Sequence, residues 1–183
     1  MRSLVAVLAA AAIASTAQAA APAKPAAAAK PAGAAQPLKI ANFDARDPDK
    51  MIALLTALGA QAKVTGRESG QVFLAVVTPG GEFGAQMIGC DGGGKACHAI
   101  ALFSTYEKKG ATLAQINDFN RSQLACRGIL TPDGRPSVMY STLVNLRMTA
   151  DETRQHIGVW QGCLTGFSEF TTDPIDFLSR PHG

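Results

Sequence analysis

Cys90-Asp-Gly-Gly-Gly-Lys-Ala-Cys97, running on through Ala99-Ile-Ala-Leu-Phe103 to Ile116-Asn117-Asp118-Phe119-Asn120, carries more of the fold than any other part of this 183-residue chain. A glycine-rich loop closed by two cysteines separates two strand-like runs, 84–90 and 96–104, which makes it the turn of a β-hairpin. The polar pattern then changes to helical spacing. It predicts a helix over about 111–124, with Leu113, Ile116, Phe119 and Leu124 as its apolar set. No catalytic group is attached to the segment.

Working outward toward the N-terminus, Asp47-Pro48-Asp49 is a helix start, with Asp47 as N-cap and Pro48 at the first helical position. Met51, Leu54, Leu55 and Leu58 mark one face, and Gly59 ends the helix. Strands are predicted at 61–67 and 71–78. Val72-Phe-Leu-Ala-Val-Val77 is apolar at every position, the pattern of a central strand covered on both faces. Toward the C-terminus, 126–146 is a second hairpin turning at Pro132-Asp133-Gly134. Its second strand alternates Val138, Tyr140, Thr142 and Val144 with Met139, Ser141 and Leu143. The last helix opens with a capping box, Thr149 to Glu152, and carries an apolar stripe of Ile157, Trp160, Leu164 and Phe167. The acidic segment Asp173-Pro-Ile-Asp176 reads as a solvated loop closing the domain. Helices against a mostly antiparallel sheet make the class α+β, with five to six strands, three helices and the order α-β-β-β-α-β-β-α.

The N-terminal residues speak to compartment. Arg2 precedes an apolar run, Leu4 to Ala14, and Ala17-Gln18-Ala19 is a small-x-small cleavage site, so 1–19 read as a secretory signal peptide. That run is shorter than the ~20 residues a membrane span needs, so no stable insertion is expected after cleavage. Residues 20–37 are almost wholly Ala, Pro and Lys and read as a disordered spacer. The domain is then 38–178 with a tail at 179–183, in a periplasmic or secreted protein. Three of the 17 basic residues, Arg2, Lys24 and Lys30, lie before the domain, leaving 14 against 14 acidic ones. A balanced domain lacks the basic footprint of nucleic-acid binding.

Four cysteines in an exported chain point to disulfides. Cys90 and Cys97 flank one loop and favour pairing with each other. Cys126 and Cys163 bridge if the last helix crosses the start of the second hairpin; otherwise they are two small buried thiols. No Cys-x-x-Cys redox spacing occurs. Gly89 to Lys95 matches most of a phosphate loop, but Ala96 stands where the hydroxyl residue belongs, and a strand rather than a helix follows. Asn117 and Asn120, three apart on the second helix, with Arg121 beside them, read either as a polar partner site or as amides tying the helix to nearby backbone. His98, His156 and His182 share no ligand spacing, so neither a metal nor a cofactor is expected. Trp160 and Phe167 read as core anchors.

In the first helix with its Leu54-Leu55…Leu58-Gly59 ending, in Cys90 and Cys97, in Ile116-Asn117-x-Phe119-Asn120 and in the final helix around Trp160 and Phe167, the chain resembles the YbjN family of bacterial sensory transduction regulators. Phe119 stands where relatives often carry Trp. The resemblance implies a fold like that of type III secretion chaperones, a regulatory role and no catalytic residues. The expected activity is therefore binding of a protein or peptide, with homodimerisation open. The alternative is a small-ligand sensor with a pocket between sheet and helices.

Overall fold

A computed structural model describes residues 38–107 and 110–180; the segments expected to be signal peptide and spacer, and His182, lie outside them. The chain runs α1 (Pro48–Ala57), β1 (Gln61–Glu68), β2 (Gln71–Thr78), β3 (Gly81–Ile88), β4 (Ala99–Thr105), α2 (Leu113–Ser122), β5 (Arg127–Leu130), β6 (Pro136–Leu143), α3 (Ala150–Thr172) and α4 (Pro174–Ser179). All strands form one antiparallel sheet in the order β1-β2-β3-β4-β6-β5, so the class is α+β. The four strands before α2 fall at the runs predicted at 61–67, 71–78, 84–90 and 96–104, one more than the order α-β-β-β-α-β-β-α counts. The first two hairpins turn in two residues each, and positive φ at Gly70 and Gly81 lets them do so.

The helices lie on one face of the sheet. Alternate strand residues point at them and are buried: Val72, Leu74 and Val76 on β2, Phe83, Ala85 and Met87 on β3, Ile100 and Leu102 on β4, Val138 and Tyr140 on β6. Trp160 of α3 meets Phe83 edge-to-face with centroids 5.5 Å apart. At the other end of α3, Phe167 and Phe170 both stack on Phe119 of α2 at 5.0 Å. Aromatic pairs of this geometry each add about 0.5–1.5 kcal/mol beyond their buried area.

The structure corrects the sequence reading in three places. The helix predicted over 111–124 is only Leu113–Ser122. Thr112 and Gln115 form a capping box that starts it, and Gln123 leaves it in extended geometry. Leu113 and Leu124 are consequently 62% and 99% exposed and are no part of the core. Second, Asp173-Pro-Ile-Asp176 is not a loop. Asp173 accepts from the N–H groups of Ile175 and Asp176, Pro174 takes the first helical position, and a fourth helix follows. It buries Phe177 against Phe119 and Phe170, both at 5.8 Å. Third, β2 is covered on one face only. Phe73 and Ala75 are half-buried and Val77 is 42% exposed, because no element among the described residues packs on the second face of the sheet.

Candidate functional site

The uncovered sheet face carries Phe73, Val77 and Phe103, with Val77 and Phe103 exposed. Strand register aligns its residues in rows, since directly paired residues point to the same side. One row reads Lys63, Ala75, Gly84, Phe103, Met139, Arg127, and the next Gly66, Phe73, Gln86, Ala101, Ser141. Phe103 lies flat over Gly84. A Cβ at that glycine would stand 2.3 Å from the ring's Cζ, so the ring occupies the space a side chain would take. A groove of about 640 Å³ crosses strands β1 to β4 here, between Phe73 and Phe103, with Glu68 and Glu82 at its rim.

Cys90 and Cys97 are joined, and so are Cys126 and Cys163. The first bond closes the β3–β4 loop. Asp91 tightens that loop by accepting from the N–H groups of Gly93 and Lys95. The ammonium of Lys95 reaches Asp47, the N-cap of α1, at 3.1 Å, and Cys97 N–H donates to the Arg46 carbonyl at 3.0 Å. The glycine loop therefore anchors α1 to the sheet. The second bond ties the start of β5 to the middle of α3.

Asn120 makes two bonds with one residue. Its Nδ2 donates to the Gly128 carbonyl at 3.0 Å, and its Oδ1 accepts from Gly128 N–H at 2.6 Å. The amide acts as one more rung on the outer edge of β5 and covers backbone groups that an edge strand leaves open. Gly128 accommodates this only without a side chain, since a Cβ would lie 2.9 Å from the Phe167 ring and 3.2 Å from that of Phe119. Asn117, by contrast, is exposed and stands apart from Gly128, and Arg121 pairs with Asp118 of its own helix. Trp160 and Phe167 are fully buried.

A family model, described as "YbjN: Putative bacterial sensory transduction regulator", matches residues 47–170. The chain belongs to the YbjN family. No curated protein matches it. The matched region runs from the N-cap of α1 to Phe170, so both disulfides and Phe119, Phe167 and Phe170 lie within it, while Phe177 lies beyond. The family description is that of a regulator, not of an enzyme class.

One constellation escaped the sequence reading of this YbjN domain. Where β6 passes the first turns of α3, a cleft of about 580 Å³ is lined by Tyr140, Asn145, Arg147, Glu152, Gln155 and His156, among others. Tyr140 Oη and His156 Nδ1 are 2.5 Å apart. Burial pushes the Tyr140 phenol above its ordinary range, so it keeps its proton. Glu152 is held below the usual carboxylate range, chiefly by the Thr149 N–H, then by the Thr149 hydroxyl, with a smaller contribution from His156. Tyr140 and His156 are 16 residues apart, on a strand and a helix. No periodicity links them; only the packing of α3 on β6 does. Among the described residues no group of three or more His, Cys, Asp or Glu side chains gathers to hold a metal. No helix among them is long and apolar enough to cross a membrane.

Proposed function

We propose that this chain is a non-catalytic regulatory domain that binds an extended segment of a protein partner on the open face of its sheet. The observation that carries the reading is the row across that face, apolar at Ala75, Phe103 and Met139 and basic at its two ends, Lys63 and Arg127. A segment with apolar residues at its centre complements that row in polarity, with acidic residues suited to Lys63 and Arg127 at the ends and a basic one to Glu68 and Glu82 beside the groove. The regulatory description of the family supports the same reading. The two disulfides support an exported chain working in the oxidising periplasm, with residues 1–19 removed. Intact mass of the mature protein is expected to begin near Ala20, and retention of residues 1–19 would refute the export reading.

The binding reading is tested with a photo-crosslinking residue at Phe103, in the native host, against a control at Gln161 on the exposed side of α3. The expected result is a discrete adduct with a second protein from position 103 and none from 161. Equal yields at both positions, or adducts only between copies of this chain, would remove the sheet face as a partner site.

A further inference from the structure

The cleft between β6 and α3 lies on the helix-covered side, remote from the open sheet face, and nothing in the family description assigns it. Its donors converge from three segments. β6 supplies Tyr140, 9% exposed; the β6–α3 connection supplies Asn145 and Arg147; α3 supplies Gln155 and His156 on one side of its first turns. Tyr140 Oη and His156 Nδ1 lie within hydrogen-bond distance, which holds the imidazole beside the cleft. The only carboxylate in the lining, Glu152, is turned to the helix cap, its Oε2 accepting from Thr149 N–H at 2.7 Å and from the Thr149 hydroxyl at 3.0 Å.

Arg147 completes the argument. Arg46, Arg121, Arg135, Arg154 and Arg180 each pair with a carboxylate of this chain. Arg147, like Arg67 and Arg127, has no ion pair among the described residues, and of these three it is the one that lines the cleft. The set is thus rich in donors and short of acceptors, with one uncompensated guanidinium. From this we propose that the cleft binds a small carboxylate ligand. Its anionic end sits on Arg147, with the Asn145 and Gln155 amides and the His156 ring alongside. The volume is in the range of small-molecule sites, and guanidinium with planar amides matches the fork of a carboxylate. Glu152 leaves Oε1 available, so a ligand that also carries an ammonium, such as an amino acid, is accommodated better than a dianion. The Cys126–Cys163 bond holds the neighbouring Ala125 wall against α3.

The test uses the full chain after export, with acetate, succinate, glutamate and the C-terminal carboxylate of a short peptide as probes. Acetamide, succinamide and the C-amidated peptide, which lack the carboxylate, are the matched controls, and inorganic phosphate is a further arm. Melting temperature and backbone amide NMR shifts are read for each. A carboxylate present at tenfold its dissociation constant is expected to raise the melting temperature by about 3–5 °C and to move peaks within 144–159. Arg147→Gln, at an exposed position that folding does not depend on, is expected to weaken binding about tenfold or more. His156→Gln is expected to weaken it less. If free acids bind and the peptide does not, the source is a metabolite; the reverse assigns a chain terminus, and either supports the proposal. No shift with any probe at 20 mM, phosphate binding as well as every carboxylate, or full affinity in Arg147→Gln would overturn it. None of these outcomes bears on crosslinking at Phe103, so the two readings fail separately.

Discussion

Removing the Cys126–Cys163 bond is expected to destabilise the domain more than removing Cys90–Cys97, although the second bond is the one a reader of the sequence notices first. The cysteines of the two bonds are separated by 37 and 7 residues. In the chain-entropy model a cross-link stabilises by restricting the unfolded chain, and the effect grows with the logarithm of the closed length. The two separations give about 3.8 and about 2.4 kcal/mol at 25 °C. For a domain of this size about 3.8 kcal/mol corresponds to a fall of roughly 10–15 °C in melting temperature. The right perturbation is Cys→Ala at both members of a pair, because Cys126 and Cys163 are 6% and 1% exposed and serine would bury two hydroxyls. Trp160, the only tryptophan and fully buried one turn from Cys163, reports unfolding by fluorescence in urea without a label. Each double variant is compared with the oxidised parent, and the slope against denaturant is checked because cross-links also change the unfolded state. If the Cys90/Cys97 variant loses as much as or more than the Cys126/Cys163 variant, loop entropy is not what these bonds contribute. The hairpin clamp on α1 would then be the dominant effect.

Other consequences of the geometry can be checked in the same assay. Asn120→Ala strips both bonds from Gly128 and is expected to cost about 1–3 kcal/mol; a loss below about 0.5 kcal/mol would mean that water replaces the amide without penalty. Gly158, Gly162 and Gly166 recur every fourth residue inside α3, and a Cβ on any of them meets nothing within 4 Å. Changing each to Ala should therefore stabilise by about 0.5–1 kcal/mol, and a fall in melting temperature would show that this helix face packs on something. Glu152 titrates below its unfolded value, so its cap stabilises the fold above the unfolded carboxylate pKa and is lost as the pH falls through the lowered one. Glu152→Gln should flatten the acid limb of the melting temperature against pH, and an unchanged limb would refute the capping assignment.

The parts of the fold that were legible in the sequence are those that local chemistry dictates. Asp47-Pro48 and the Thr149–Glu152 box mark helix starts because an orphan amide must find an acceptor within a few residues. The same signatures stand at Asp173-Pro174, which reads as a solvated acidic loop, and at Thr112–Gln115, inside a helix bounded by its apolar set, and in both places the caps decide the structure. The pairing of Tyr140 with His156 was beyond local reasoning, since it exists only once β6 and α3 are packed. The reading of β2 failed differently. Six consecutive apolar residues, Val72 to Val77, predict cover on both faces, and the pattern is real. Only the inward set, Val72, Leu74 and Val76, is fully buried, while Val77 remains 42% exposed. Leaving Phe73, Val77 and Phe103 at an aqueous surface forgoes about 25 cal/mol for each Å² that stays wet. The misread strand and the proposed partner site thus have one physical cause. β2 has the composition of a strand in a three-layer structure, this domain supplies two of the layers, and the third is the segment expected to bind there.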